Sequence, residues 1–263
     1  MRIIDRYRAA LTAAMALVVM LGVPLAASAD EADAKKILKS MSDYVAAQQA
    51  FSFDYDAILE VVTVEAQTLS LASSGSVTLK RPDKLKATRA GGFVNIEMTY
   101  DGKTLTLFGK DANVYVQEPM AGTIDDLVYQ ITVENNRPLP AADLLLTDSY
   151  EALMAGVVDV KDLGSGVIGG VECNHFAFRA DEVDWQIWIA MGADPYPCRY
   201  SITSLAIMGQ PQYSVQLSNW KAGKDVAATE FSFKNTTGAE EVELEDLGDA
   251  QGLPPNFETG ESE

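Results

Sequence analysis

The sequence predicts a mainly β, α+β fold: one large, strongly curved antiparallel sheet with helices covering its concave face. Three observations carry this. Short runs from Phe51 onward alternate apolar and polar residues, as half-buried strands do. Turn signals separate those runs at regular intervals, which is the mark of an antiparallel meander. Apolar residues at helical spacing occur only before the strands and between two groups of them, so a few helices are on hand to cover one sheet face.

The elements follow in chain order. Segment 1–8 is short and basic, 9–25 is apolar, and Ala27-Ser28-Ala29 is a small-residue A-x-A site. This is the layout of a secretory signal peptide cleaved after Ala29. The apolar run also approaches the roughly 18 residues of a spanning candidate, so a retained membrane anchor is the alternative reading. Segment 30–50 carries Ile37, Leu38, Met41, Tyr44 and Val45 at helical spacing. From Phe51 to Val61 the period becomes two, a half-buried strand. Strands are then expected at 68–72, 76–80, 84–89, 94–100, 104–109 and 113–118, with turns at Ser74-Gly75, Arg81-Pro82-Asp83, Gly91-Gly92, Asp101-Gly102 and Gly109. Asp101-Gly102 is the strongest hairpin signal among them.

The middle of the chain changes character. Ile124, Leu127, Val128 and Ile131 share one face of a helix expected over 123–134, with Thr123 and Asp126 in capping-box register. Pro138 and Pro140 end it, and Pro140 is placed to open a second helix through Leu144, Leu145 and Leu146. A third short helix is expected at 150–156, capped by Asp148 or Ser149. Strands return over 157–233, with turns at Gly164-Ser165-Gly166, Gly169-Gly170, Asp194-Pro195 and Gly223-Lys224. The organisation is a signal peptide (1–29), a single domain (30–250) and a flexible acidic tail (251–263).

A formal charge of −18 argues against nucleic-acid binding and electrostatic docking on anionic membranes. Once the leader is cleaved, no stable membrane insertion is expected. The only two cysteines, Cys173 and Cys198, lie in an exported chain, and export favours a disulfide. Such a bridge closes a loop of about 25 residues and stabilises by roughly 3 to 4 kcal/mol on the chain-entropy view.

The one histidine, His175, stands two residues from Cys173 on the same strand face. A thiol–imidazole nucleophile would need a third, orienting group. A metal site of Cys173, His175 and Cys198 matches no recognised zinc spacing and competes with the disulfide for both sulfurs. Asp181, Glu182 and Asp184 read as a solvated turn rather than a glycosidase carboxylate pair. The strand 183–189 puts Val183, Trp185, Ile187 and Ile189 on one face and Trp188 on the other, with core packing as the ordinary reading. Hydrolase, metalloprotease, P-loop and dinucleotide motifs are all missing from the sequence, so the expectation is a non-enzyme with no cofactor and no metal.

Two stretches together resemble a known family. Segment 75–85, GSVTLKRPDKL, and segment 100–108, YDGKTLTLF, are similar to the turn and hairpin of the periplasmic lipoprotein-carrier (LolA/LolB-like) superfamily of Gram-negative bacteria. The likeness spans about 30–156. The second half, with CNHFAF, VDWQIWI, Pro195-Tyr196-Pro197, LSNW and FSF, is similar to an uncharacterised branch of predicted periplasmic proteins in that superfamily. The resemblance implies an unclosed β-barrel, a half-barrel lidded by helices, in the periplasm.

In the carriers the hollow takes up lipid acyl chains, so the partner implied is an acyl chain, lipid or lipoprotein. The lining it implies is Val94, Ile96, Met98 and Tyr100 from a strand, with Ile124, Leu127, Val128 and Ile131 from a helix. A dry core is the other reading of the same residues. The carriers' lid arginine has no evident match in this sequence. The alternative role on this scaffold is an interaction or envelope-stress sensor module with an envelope protein as partner.

Overall fold

The computed structural model describes residues 27–92, 94–135, 139–226, 230–247 and 259. The expected signal peptide, up to Ala26, lies outside them, as does the expected flexible tail apart from Thr259, which bridges Thr63. Among the described residues no helix is long and apolar enough to cross a membrane.

Helix α1 (Ala27–Ala47) buries Ala34, Leu38, Met41 and Val45, spaced by four, three and four residues on one stripe. Six strands then run as a meander: β1 (Ala50–Val62), β2 (Thr68–Lys80), β3 (Lys84–Gly91), β4 (Val94–Tyr100), β5 (Thr104–Gly109) and β6 (Val114–Pro119). The Asp101-Gly102 hairpin forms between β4 and β5 as its sequence predicts. Gly102 takes φ 88°, and Asp101 Oδ1 accepts from the Lys103 and Thr104 amides at 3.1 and 2.9 Å.

Short segments come next. Helix α2 (Ile124–Tyr129) starts in the expected capping box, where Thr123 Oγ1 accepts from the Asp126 amide and Asp126 accepts from the Thr123 amide. The single helix expected over 123–134 divides at Tyr129 and continues as a π-helical turn (Gln130–Glu134). Thr132 Oγ1 donates to the Val128 carbonyl at 2.7 Å, the kind of back-bonding that loosens an α ladder. A 3-10 turn (Ala142–Leu145) and α3 (Ser149–Met154), capped by Asp148, complete the middle.

Five further strands follow: β7 (Asp159–Ile168), β8 (Val171–Arg179), β9 (Val183–Ala190), β10 (Pro197–Ser204) and β11 (Gln212–Ala222). The spatial order β6-β5-β4-β3-β2-β1-β11-β10-β9-β8-β7 shows two antiparallel meanders joined edge to edge where β1 pairs with β11. A two-residue strand, β12 (Glu240–Glu241), adds to β6 in parallel, and the sheet does not close.

Three expectations are corrected. Ser74-Gly75 is not a turn, because β2 runs straight through it. An added Cβ on Gly75 would stand 2.7 Å from the Tyr55 hydroxyl and 1.9 Å from the Thr88 carbonyl, so the glycine serves close approach inside the sheet. Gly164-Ser165-Gly166 is likewise no turn. It forms a bulge within β7, where the pairing with β8 shifts between Asp162 and Ser165. Phe231–Phe233 forms no strand. Phe233 instead lies against Phe108 and Tyr115, on the side of the sheet away from the helices.

The two halves of the sheet are covered differently. Against β7–β9 lies α1, whose buried stripe meets Phe176, Phe178, Trp185, Ile187 and Ile189 in one continuous core. Phe178 and Trp185 stack at 3.9 Å with planes 6° apart. Over β1–β6, among the described residues, lie the short middle segments, with Leu244 of the C-terminal segment at one flank.

Candidate functional site

The strand registers order the inward side chains of β1–β6 into cross-strand rows. The first row is Phe51, Leu79, Leu85, Tyr100, Leu105 and Glu118. The second is Phe53, Val77, Ala87, Met98, Leu107 and Val116. The third is Tyr55, Gly75, Arg89, Ile96, Gly109 and Val114. Each row lies two residues, or about 7 Å, from the next along the strands.

Burial distinguishes the rows. In the first, Phe51, Leu79 and Tyr100 are wholly buried, and the Tyr100 hydroxyl donates to the Gly122 carbonyl at 2.7 Å beneath the start of α2. In the third, Tyr55, Arg89 and Ile96 are half-buried. Between the sheet and its cover lies a hollow of about 600 Å³. Its sheet wall takes in β1–β6 and β11. Its roof is Leu127, Val128 and Ile131 with Leu139, Leu144 and Leu145, and Leu244 from the C-terminal segment closes one flank.

Two features keep this space from filling. Inward positions on β2, β3, β5 and β6 carry small residues, Gly75, Val77, Ala87, Gly109 and Val116. The roof is built from pieces of six residues or fewer, which cannot lay a long side-chain stripe onto the sheet as α1 does.

The roof is tied to the sheet by Arg81, at the β2–β3 turn. Its guanidinium donates to the Leu145 carbonyl at 3.0 Å and sits over the Phe51 ring. Burial pushes the Arg81 pKa down, and nearby Asp125 opposes that. Asp125 in turn accepts hydrogen bonds from the amide and hydroxyl of Thr147, fixing the far end of the roof.

Of the lining residues expected from the sequence, Val94, Ile96, Met98, Leu127, Val128 and Ile131 border the hollow. Tyr100 and Ile124 do not. Both are 0 % exposed and packed where α2 meets the sheet, while Phe51, Leu85, Leu105 and Glu118 of the same first row do border the hollow. Sequence reading missed Arg89, Glu118 and Trp220. Trp220 stacks on Phe51 at 5.0 Å and faces the hollow, whereas Trp185 is core and Trp188 lies on the opposite face. The strand alternation Phe51, Phe53, Tyr55 was the available signal for the β1 wall. Arg89 is in phase with Leu85 and Ala87 and was legible in the same way.

Cys173, His175 and Trp188 share the outer face of β8 and β9. His175 stacks on Trp188 at 4.0 Å and its Nε2 lies 2.9 Å from Gln186 Oε1, while the Arg199 guanidinium sits over the Trp188 ring at 5.4 Å. This is a packing stack, and among the described residues no carboxylate bonds to the ring. The bridge expected between Cys173 and Cys198 is not formed: both thiols are unbonded and buried. The sulfurs meet over Ala190 in a small apolar cluster, and burial pushes both thiol pKa values up.

A model of the DUF2092 family, described as a predicted periplasmic protein, matches residues 34–245. No curated protein matches the sequence. Among solved structures, the chain is similar to the lipoprotein LppX of Mycobacterium tuberculosis at 13% identity, covering 75% of this chain and 98% of that one with a TM-score of 0.48. It is similar to LprF of Mycobacterium bovis at 13% identity, covering 78% and 99% with a TM-score of 0.47. It also resembles the Pseudomonas aeruginosa MucA/MucB complex structure at 13% identity, covering 74% and 59% with a TM-score of 0.39.

Proposed function

The chain belongs to the DUF2092 family of predicted periplasmic proteins, and on that premise we propose that it is a non-enzymatic binding protein whose hollow shelters an acyl chain of a lipid or lipoprotein. The observation that supports this reading is the apolar hollow of about 600 Å³ under a roof of short segments. That volume lies within the range of about 300 to 1,000 Å³ typical of small-molecule sites. Moving sixteen methylenes from water contributes roughly 13 kcal/mol. An association cost at the low end, about 4 kcal/mol, leaves roughly 9 kcal/mol, a Kd just below micromolar, and a larger cost weakens it from there. Such binding needs no catalytic group.

The test is to purify the chain from its native periplasm, extract it, and look for lipid by mass spectrometry, with displacement of a fluorescent fatty-acid probe alongside. A copurifying lipid and a displaceable probe are expected. No lipid and no probe binding would end this reading.

A second reading is a periplasmic interaction module. The observation that favours it is the sheet's end at β7, whose outer edge is unpaired among the described residues and bears exposed Leu163 and Val167. Crosslinking in intact cells that recovers one defined protein through β7, with no lipid in the hollow, would favour this reading over the first.

A further inference from the structure

The hollow is apolar except for a few groups, and one of them carries a positive charge. Arg89 follows Leu85 and Ala87 on the inward face of β3 and borders the space directly. Its Nε donates to Ser73 Oγ at 3.3 Å, and that is its only side-chain hydrogen bond among the described residues. No carboxylate there comes within ion-pair distance of its guanidinium. Among the described residues eight lysines and arginines form such ion pairs, and Arg89 is one of those that do not.

Arg81 and Arg199 also lack carboxylate partners, but each has another task. The former holds the roof at Leu145, and the latter covers Trp188 on the outer face. Arg89 has no such task. Among the described residues the one acid bordering the hollow, Glu118, belongs to the first row and stands three strands away. The row offset alone puts it about 13 Å from Arg89 along the strand direction.

The surroundings hold Arg89 in place. Gly75 opens the gap through which the Tyr55 ring crosses β2, and the Tyr55 hydroxyl donates to the Thr88 carbonyl at 2.9 Å, beside Arg89. Tyr213 stands close to both, and its hydroxyl has no hydrogen-bond partner among the described residues. The result is a guanidinium fork with two terminal nitrogens unused, a phenol donor beside it, and an apolar channel of Ala87, Met98, Leu107 and Val116 leading away towards the first row.

We infer that Arg89 anchors the anionic head group of the acyl ligand, a carboxylate or phosphate monoester, with the tail lying along the second row towards Tyr100. This rests on the acyl-binding reading and adds the head-group chemistry to it. A guanidinium pairs with either anion through two parallel N–H donors, which a neutral alcohol cannot match.

The experiment is competitive displacement of a fluorescent fatty-acid probe by dodecanoate, dodecyl phosphate and dodecanol, on the intact chain and on Arg89→Gln and Arg89→Lys. In the native chain at least one anion should bind about tenfold or more tighter than dodecanol. Arg89→Gln should lose that preference while keeping dodecanol within about twofold, which also shows that the variant is folded. Arg89→Lys should keep part of the preference. The ranking of dodecanoate against dodecyl phosphate separates a fatty-acid source from a phospholipid-type source.

An anion preference that survives in Arg89→Gln, or a native chain with no preference, overturns the inference and leaves the hollow's acyl binding standing. If none of the three ligands binds, the acyl reading fails and this inference fails with it.

Discussion

One sheet carries two halves that share the same alternation of inward and outward side chains and differ in what lies on them. In β8 and β9 the inward set is Phe176, Phe178, Trp185, Ile187 and Ile189, none more than 3 % exposed, closed over by the 21-residue α1. In β2–β6 the inward set at middle depth is Val77, Ala87, Met98, Leu107 and Val116, with Gly75 and Gly109 in the next row, roofed by α2, a π turn and a 3-10 turn. The first half pairs large side chains with a long helix and fills. The second pairs small side chains with short segments and leaves about 600 Å³ unoccupied. Alternation therefore decides which residues face inward, while side-chain size and the length of the covering helix decide whether the inside is core or cavity.

The contrast predicts its own mutational signature. Phe176→Ala in the filled half should cost about 3 to 5 kcal/mol, read as a fall in the urea midpoint, because neighbours held by α1 cannot collapse into the void. Met98→Ala, which only enlarges an existing space, should cost less than about 1.5 kcal/mol in the same assay. Equal losses at the two sites would mean that the halves are packed alike.

Arg81→Ala comes next. It removes a charged donor from the Leu145 carbonyl and should cost about 1.5 to 3 kcal/mol, with faster proteolysis in the 139–146 roof segment than elsewhere. Uniform proteolysis along the chain would show that Arg81 does not hold the roof.

A matched pair of insertions sharpens the comparison further. Ala34→Leu, on the buried stripe of α1, should destabilise by about 1 to 3 kcal/mol through overpacking. Ala87→Leu points into the hollow and should change stability by less than about 1 kcal/mol while weakening acyl-probe binding. A large stability loss at Ala87 would argue against open space there.

The smallest effect concerns Glu97, on the outer side of β4, with Lys86 at 2.7 Å and Lys110 at 3.2 Å. Burial pushes its carboxyl pKa up, but the two ammonium groups outweigh that and hold it below the ordinary range. A depressed carboxylate contributes stability that is complete above its unfolded pKa, near 4.5, and is lost as pH falls through the lower folded value. Glu97→Gln should therefore flatten the stability profile below about pH 4.5 by at most about 1 kcal/mol, since the pair is solvent-screened. An unchanged acid limb would remove this contribution.

Much of the fold was legible because period-two alternation survives at Phe51 to Val61, 94–100 and 104–109, where strand limits agree with the sequence to within a residue or so. What misled was glycine. Ser74-Gly75 and Gly164-Ser165-Gly166 read as turns, yet one gives room for the Tyr55 ring and the other bends β7, and a single sequence does not separate close approach from chain reversal. The lining of the hollow was partly legible, since a helical or strand face marks what points inward. It does not mark depth: Tyr100 and Ile124 share faces with true lining residues and are sealed by the seam between α2 and the sheet. Arg89 escaped notice because a charge inside an alternating strand is read as outward by default, although its phase with Leu85 and Ala87 pointed inward.

The central claim is that an acyl chain enters the hollow half and not the filled half. The three tryptophans divide in the right way, since Trp220 borders the hollow while Trp185 is core and Trp188 lies on the outer face. Titration with a brominated fatty acid, which quenches indoles only at contact, should extinguish part of the native emission and none in Trp220→Phe. Quenching that persists in Trp220→Phe, or its complete absence in the native chain at saturating ligand, would contradict the account.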